Sequence, residues 1–293
     1  MKRAALAPAF ALALFACRAG PGDAPPEAGP PPVSTSQSAP APEASAPPAD
    51  AGPGLSPLTD AVWLERLDLP GGDRAFVSVP LGATEPRPVL VAVHGAGDRP
   101  EWACGGWRGI TDAYPFIVCP DGSPNSPDKR RWSSRGAITR VVDAALPALR
   151  RRFGAHVAEG PMVYASFSQG AHHGAWIVRE RAADFPLVTL VEGGHGGTGQ
   201  PGFAESFAAH GGKRMLFACS TPGCAGLYAR PRDGLQRAGV EARIFDAGPV
   251  GHNLNGQVVA AMKAPFAWLV RDEPRWAGLP ALREAPVGPT PAR

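Results

Sequence analysis

Apolar residues in this chain gather in short runs that are separated by amphipathic segments. Five runs are almost wholly apolar over four to six positions, which is typical of strands buried on both faces of a sheet: 89–93, 116–120, 162–165, 186–191 and 214–219. A further strand is predicted at 242–246. Because helical segments lie between these runs, the pattern predicts an α/β fold with a mostly parallel central sheet and helices on both faces.

The clearest helical segment is 138–153. Its apolar residues recur at spacings of three and four, its arginines gather in the last turn, and Gly154 follows, where a helix commonly ends. Shorter helices are predicted at 171–178, 232–239 and 258–270, the last with a break or kink at Pro265. Residues 64–69 and 74–80 alternate apolar and polar positions, which predicts a hairpin before the first buried strand.

The first residues have a different composition from this core. Residues 1–3 are basic, 4–16 form an apolar run too short to span a bilayer, and Cys17 follows, which is the layout of a signal peptide. The sequence Leu-Phe-Ala-Cys at 14–17 resembles a bacterial lipobox, which implies that Cys17 is lipidated. Such a protein is exported and anchored to a membrane of the bacterial cell envelope, in the periplasm or at the cell surface. An ordinary signal peptide with an incidental cysteine is the alternative.

Residues 18–57 are rich in Pro, Ala, Gly and Ser and contain no aromatic residue. Such a segment buries too little apolar surface to offset the entropy lost on ordering, so a disordered tether is predicted. The chain is therefore predicted to have four parts: a signal segment 1–17, a tether 18–57, a single α/β domain 58–276 and a loose tail 277–293.

Charge and cysteine content narrow the function classes. A net charge of +3 over 293 residues gives no electrostatic footprint for nucleic acid, and the basic runs 129–131 and 150–152 lack interleaved aromatic residues. In an oxidising compartment, proximity along the chain predicts two disulfides, Cys104–Cys119 and Cys219–Cys224. One metal site built from all four cysteines is the disfavoured alternative, so no metal is predicted.

The segment with most chemical information is 166–170, Ser-Phe-Ser-Gln-Gly. It lies between a predicted strand and a predicted helix, and small residues stand two positions before and two after Ser168. This setting is typical of a nucleophile elbow, a strained turn that presents a serine Oγ at the edge of a sheet. Ser166 stands where such elbows commonly have glycine.

Two further features are placed where acyl transfer requires them. His252 lies in a glycine-flanked loop after the last predicted strand, and it is predicted to act as general base and then general acid for Ser168. An oxyanion needs two backbone N–H donors. These are predicted to come from Gln169 and from Ala96 or Gly95, in the loop after the first buried strand.

The order of these motifs resembles the α/β-hydrolase superfamily. The similarity rests on the His94-Gly95 turn, the Ser-X-Ser-X-Gly elbow and the Gly251-His252 loop, and it covers roughly residues 60–272. Within the superfamily, 93–95 and 118–122 are most similar to the secreted feruloyl-esterase and polyhydroxyalkanoate-depolymerase-like branch. The resemblance implies a serine hydrolase that cleaves small-molecule or polymer esters through an acyl-enzyme, without a cofactor or metal.

The acid of the triad is the part that the pattern does not supply. In the superfamily it usually follows the seventh strand, but the corresponding turn, 219–224, contains no carboxylate. Glu192, which closes the preceding strand, is the preferred substitute because some members place their acid there. Asp246 and Asp233 are alternatives, and so is a chain without any acid.

Other side chains near this edge receive structural interpretations. His94 is predicted to make hydrogen bonds within its turn, and His195 lies in a loop from which it could line the pocket. Trp102, Trp107 and Trp132 are predicted to lie in loops over the same edge, either as cap packing or as a wall of the substrate site.

Three functions remain open on the sequence alone. The preferred one is an exported, membrane-anchored esterase with Ser168 as nucleophile, His252 as base, Glu192 as acid, and Gln169 and Ala96 as oxyanion donors. A peptidase or amidase of the same fold would use the same groups. A non-catalytic binding protein that lost its acid would keep the fold without the reaction.

Overall fold

The computed structural model describes residues 54–284 of the chain. The predicted signal segment with Cys17, the tether up to residue 53 and the last residues, 285–293, lie outside the described residues. Among the helices of residues 54–284, none is long and apolar enough to cross a bilayer.

Eight of the ten strands in residues 54–284 form one sheet. In chain order the strands are β1 (Leu64–Asp68), β2 (Arg74–Ser78), β3 (Val89–Val93), β4 (Phe116–Pro120), β5 (Ser123–Ser126), β6 (Lys129–Arg131), β7 (Val163–Phe167), β8 (Leu187–Val191), β9 (Arg214–Cys219) and β10 (Glu241–Asp246). Strands β5 and β6 pair with each other as a separate small hairpin. The other eight lie in the order β1-β2-β4-β3-β7-β8-β9-β10.

The pairing directions confirm the predicted architecture. Strands β1 and β2 form the predicted antiparallel hairpin, and β2 pairs antiparallel with β4. All the other pairs in the large sheet are parallel. The sheet is therefore mostly parallel, with the hairpin added at one edge.

Helices cover both faces of this sheet. They are α1 (Pro100–Ile110), α2 (Arg135–Phe153), α3 (Gln169–Glu180), α4 (His195–Thr198), α5 (Phe203–Ala209), α6 (Cys224–Leu227), α7 (Ala229–Arg237), α8 (Gly256–Val270) and α9 (Pro280–Glu284). Alternate residues of a strand point to opposite faces. Accordingly, Val91 and Val93 pack with α2, α3, α5 and α7, whereas Leu90 and Ala92 pack with α1 and α8.

Helix α1 was not expected from the sequence, and this corrects the prediction that Trp102 and Trp107 lie in loops. The segment has three glycines and therefore a poor intrinsic helix propensity. Two of them let α1 approach α8 and the loop before it. A Cβ on Gly106 would lie 2.9 Å from the Leu254 carbonyl oxygen, and one on Gly109 would lie 2.8 Å from a Val259 methyl group. Packing, not propensity, stabilises this helix.

Three element boundaries also differ from the prediction. Helix α2 begins at Arg135 because the Ser134 hydroxyl accepts a hydrogen bond from the Ala137 N–H, a typical N-cap. The predicted break at Pro265 is wrong, since α8 continues through it. The core also extends past residue 276, where the sequence predicts a loose tail, because Leu279 is fully buried and α9 follows.

Both predicted disulfides are present. Cys104 of α1 is bonded to Cys119 of β4, and Cys219 at the end of β9 is bonded to Cys224 at the start of α6. The alternative of a metal site built from all four cysteines is therefore wrong, because their sulfurs are used in disulfides.

Candidate active site

Ser168 occupies a strained turn between β7 and α3. Its φ of 50° and ψ of −115° lie in a region that non-glycine residues rarely adopt, which is the backbone expected of a nucleophile elbow. The strand and the helix pass so closely that a Cβ on Gly170 would lie 2.6 Å from the carbonyl oxygens of Val93 and His94. Glycine at position 170 is therefore required by the packing of the turn.

Ser166 replaces the usual first glycine of the elbow, and α3 accommodates it with a glycine of its own. A Cβ on Gly174 would lie 2.7 Å from the Tyr164 ring and 3.1 Å from the Ser166 Oγ. The extra volume at position 166 is thus matched by a missing side chain one turn into the helix. The sequence analysis did not predict this compensation between Ser166 and Gly174.

His252 lies beside the nucleophile. Its Nε2 is 2.8 Å from the Ser168 Oγ, and its ring packs against Phe167 with the centroids 4.9 Å apart. With its proton on Nδ1, the imidazole accepts a hydrogen bond from the Ser168 hydroxyl through Nε2. That is the arrangement from which a histidine removes the serine proton.

Glu192 is the carboxylate that the structure brings to His252. Its Oε2 is 3.4 Å from the His252 Nδ1, and its side chain is almost fully buried. The other two candidates are engaged elsewhere. Asp246 accepts a hydrogen bond from the Gly248 N–H in its own turn, and Asp233 pairs with Arg232 in α7.

The Glu192 carboxylate is held by two consecutive residues after β9. Oε1 accepts hydrogen bonds from the Ser220 N–H and, at 2.8 Å, from the Thr221 N–H, and it lies 3.0 Å from the Ser220 hydroxyl. Oε2 accepts a 2.7 Å hydrogen bond from the Thr221 hydroxyl. Burial alone would raise the pKa of Glu192, but these hydrogen bonds together outweigh it and hold the pKa below its ordinary value of 4.5. Glu192 is therefore ionised at neutral pH.

The turn after β3, which carries one of the predicted oxyanion donors, lies beside Ser168. A Cβ on Gly95 would lie 3.1 Å from the Ser168 Cβ, so the turn after β3 runs directly beside the nucleophile. The Gly95 N–H makes a 3.4 Å contact with a carboxylate oxygen of Asp98. In the part of the chain that is described, the N–H groups of Ala96 and Gln169 donate no hydrogen bond, so both are available to a ligand.

An aromatic network holds this turn in place. The His94 Nδ1–H donates to the Gly95 carbonyl at 2.7 Å, and the His94 Nε2 accepts from the Gly122 N–H at 3.2 Å. Trp132 stacks on the His94 ring with the centroids 4.7 Å apart, and its indole N–H donates to the His94 carbonyl at 3.0 Å. Burial lowers the pKa of His94, so the ring is neutral at physiological pH. His94 is the structural hydrogen bonder that the sequence suggests.

The Gln169 side chain joins this network to the elbow. Its amide group forms two hydrogen bonds with the main chain of Trp132, one of 2.8 Å from the Trp132 N–H and one of 3.0 Å to the Trp132 carbonyl. The residue after the nucleophile therefore anchors Trp132, which packs on the turn that carries Ala96. Trp132 lies in a loop, as predicted.

A small cavity borders the acid side of the site. It has a volume of about 330 Å³, and it is lined by Glu192, residues 221–224, Leu227 and Tyr228, with His195 at its wall. The Tyr228 hydroxyl accepts from the Gly193 N–H and donates to the Gly193 carbonyl, which fixes the chain just after Glu192. Glu192, Cys219 and Cys224 come close together, but both sulfurs are in the disulfide and cannot bind a metal.

Sequence reasoning missed four contributors to this site: Ser220, Thr221, Trp132 as a partner of His94, and Tyr228. The signal for the first two was present, because the turn 219–224 has two hydroxyl residues between two cysteines. Because this turn contains no carboxylate, the sequence interpretation gave it no part in the site. The other two act through contacts between segments that are 35 or more residues apart, which no local pattern records.

No protein-family model matches this sequence, and no curated protein does. The fold is similar to that of a ferulic acid esterase, with a TM-score of 0.54 at 14% identity over 71% of this chain and 96% of that one. It is also similar to an uncharacterized protein from Bacillus cereus ATCC 10987, with a TM-score of 0.51 at 11% identity over 64% of this chain and 61% of the other. At these identities the likeness concerns the fold alone. The chain has the α/β-hydrolase fold in a single domain.

Proposed function

We propose that this protein is a serine hydrolase that cleaves carboxylic ester bonds through an acyl-enzyme. The observation that carries the proposal is the line of contacts from the Ser168 Oγ to the His252 Nε2 at 2.8 Å and from the His252 Nδ1 to the Glu192 Oε2 at 3.4 Å. All three groups follow strands at the carboxyl edge of the sheet, where open α/β folds bind their ligands.

The first half of the reaction follows from these positions. The Ser168 Oγ attacks the ester carbonyl carbon while its proton passes to the His252 Nε2. The carbonyl oxygen becomes an oxyanion and accepts hydrogen bonds from the N–H groups of Gln169 and Ala96. When the tetrahedral intermediate collapses, the alcohol leaves with the proton from His252, and the acyl group stays on Ser168.

Glu192 and a water molecule complete the cycle. The carboxylate keeps the proton of neutral His252 on Nδ1 and stabilises the imidazolium that forms in each half-reaction. A water molecule then loses a proton to His252 and attacks the acyl carbon. The bond between that carbon and the Ser168 Oγ breaks, His252 returns the proton to the Oγ, and the acid product leaves. The ionised state of Glu192 supports this role, because a neutral acid would stabilise the imidazolium far less.

Two observations separate this proposal from its rivals. The name of the similar ferulic acid esterase favours an ester over an amide substrate, and thus an esterase over a peptidase or amidase. The non-catalytic alternative depended on a missing acid, and the 3.4 Å contact of the Glu192 Oε2 with the His252 Nδ1 supports Glu192 as that acid.

The decisive experiment uses a fluorophosphonate probe and a pair of matched chromogenic substrates. The wild-type protein should be labelled at Ser168 and should hydrolyse p-nitrophenyl acetate much faster than p-nitroacetanilide. Ser168→Ala should lose labelling and at least about 10⁴-fold in turnover, as other serine hydrolases do without their nucleophile. Absence of labelling in the wild type, or unchanged turnover in the variant, would exclude the proposal.

We also propose that the enzyme is exported and anchored to the bacterial cell envelope through a lipid on Cys17. Two disulfides in one small domain support folding in an oxidising compartment. Cys17→Ser should move the protein from the membrane fraction to the soluble fraction without changing its specific activity. Retention of the variant in the membrane fraction would contradict the anchor.

A further inference from the structure

The carboxylate of Glu192 is held by hydrogen bonds from the turn after the neighbouring strand, β9. Glu192 follows β8, but the four contacts to its carboxylate from Ser220 and Thr221 come from the turn after β9. No arginine or lysine pairs with this carboxylate in residues 54–284. Its orientation therefore depends on two consecutive neutral residues.

The same turn also holds the loop that carries the base. The Gly251 N–H donates to the Ser220 carbonyl at 3.0 Å. The Ser220 hydroxyl lies 2.7 Å from the Gly251 carbonyl and 3.0 Å from the Glu192 Oε1, and its single proton serves one of them at a time. Ser220 thus contacts both the acid and the residue directly before His252.

A disulfide closes this turn at its two ends. Cys219 is the last residue of β9 and Cys224 the first of α6, so the bond encloses only the four residues 220–223. Within it Pro222 has a fixed φ, and Gly223 has a φ of 78°, which favours glycine. The hydroxyl residues are therefore held in a small ring with few alternative conformations.

We propose that the Cys219–Cys224 turn is the positioning element of the Glu192–His252 pair, with Ser220 and Thr221 as positioning residues. This inference rests on the proposed function. The ring fixes where the donors lie, the donors fix the carboxylate, and the contact of Ser220 with Gly251 fixes the base relative to the acid. A small misplacement of such groups has a large effect on turnover.

The rival explanation is that this disulfide serves only global stability, and the chain offers a matched control. The Cys104–Cys119 disulfide closes a longer loop, with a sequence separation of 15 against 5, and it joins α1 to β4. Chain-entropy arguments give the longer loop the larger effect on unfolding. We therefore expect loss of Cys219–Cys224 to affect mainly turnover, and loss of Cys104–Cys119 to affect mainly stability.

The experiment compares two double variants of the full-length protein, Cys219→Ala/Cys224→Ala and Cys104→Ala/Cys119→Ala, with p-nitrophenyl acetate as substrate. The first should lower kcat about 10- to 100-fold, as expected for displaced catalytic groups, with KM changed less than threefold and a small loss in Tm. The second should lower Tm more and leave kcat within threefold at a temperature below its transition.

Equal losses of kcat in the two variants, or an unchanged kcat in the first, would overturn the inference while leaving the esterase proposal intact. That proposal fails separately if the wild-type protein shows neither turnover nor probe labelling.

Two single substitutions at Thr221 test the same inference if a double variant does not fold. Thr221→Val should lower kcat about tenfold, as loss of a hydrogen bond to a charged group predicts, and Thr221→Ser should restore it. Equal activity of the Val and Ser variants would also contradict the role of the hydroxyl.

Discussion

The two sides of Ser168 are built from different kinds of contact. On the acid side, hydrogen bonds from the turn 219–224 hold an ionised carboxylate, Glu192. On the oxyanion side, a buried neutral histidine, His94, and the indole of Trp132 hold the turn that carries Ala96. One side contributes a charge to the reaction, whereas the other contributes only backbone dipoles in fixed positions.

This difference predicts how far a substitution on each side lowers turnover. Removal of the charge should affect turnover directly, because the imidazolium forms in every half-reaction. Loosening of the aromatic network should affect turnover less, because the backbone N–H groups remain and only their alignment is lost. As the pH falls, His94 should begin to lower the stability of the fold before Glu192 does, because the ordinary pKa of a histidine, 6.5, lies above that of a glutamate, 4.5.

The largest effect is expected for Glu192→Gln. The amide cannot stabilise the imidazolium and does not fix the proton of His252 on Nδ1, so kcat should fall about 10³- to 10⁴-fold. Steady-state hydrolysis of p-nitrophenyl acetate measures this. Asp246→Asn is the matched control and should stay within twofold, since Asp246 bonds only to its own turn. A loss below tenfold in Glu192→Gln would eliminate Glu192 as the acid.

A smaller loss is expected for Trp132→Ala on the oxyanion side. The variant removes the stack on His94 and the hydrogen bond to the His94 carbonyl, and we expect kcat to fall about 10- to 100-fold, less than for outright loss of an oxyanion donor. Trp102→Ala is the control, because Trp102 is exposed on α1 and should be silent in the same assay. Similar losses in both variants would indicate a general effect of tryptophan removal.

His94 should make the fold less stable in mild acid. Because the pKa of His94 is lowered in the folded state, the unfolded chain binds more protons once the pH falls below 6.5, and stability falls with it. Down to the pKa of folded His94, this group should cost up to about 1.4 kcal/mol of unfolding free energy per pH unit.

Urea unfolding between pH 7 and pH 5 checks this prediction. His94→Asn should reduce the slope. Burial and the neighbouring His172 lower the pKa of His173 as well, so part of the slope should remain. Glu192 changes stability with the same sign as His94, but at lower pH. Its lowered pKa stabilises the fold above pH 4.5, and this contribution is lost only as the pH falls through the pKa of the folded state. An identical slope in wild type and His94→Asn would refute the comparison.

The smallest effect is expected for Gln169→Ala. The variant keeps the main-chain N–H of residue 169 and loses the two hydrogen bonds with Trp132, so kcat should fall about fivefold, equivalent to about 1 kcal/mol. Gln200→Ala provides the control, because the Gln200 side chain bonds only to Gly196 in a distant turn. An effect as large as that of Trp132→Ala would mean that the network acts mainly through Gln169.

How far the sequence predicts this molecule differs between the fold and the site. The buried strands were recognisable because a strand covered on both faces has few polar positions, and Ser168 because an elbow is a local pattern. Helix α1 was missed because its stability comes from contacts of Gly106 and Gly109 with distant residues. The two hydroxyl residues of the turn 219–224 are visible in the sequence, but no local pattern shows that Thr221 binds Glu192, which lies 29 residues earlier in the chain.

The order of the strands determines which strands could pair with a second copy of the protein. Within residues 54–284 the eight-stranded sheet ends at β1 on one side and at β10 on the other, and an unprotected edge strand can pair with the edge of another molecule. Both edge strands carry exposed charges: Arg66 and Asp68 on β1, and Glu241, Arg243 and Asp246 on β10. Strand pairing between two copies would bring these charges into the contact and dehydrate them. The charges on both edge strands thus disfavour extension of the sheet from one copy of the protein into the next.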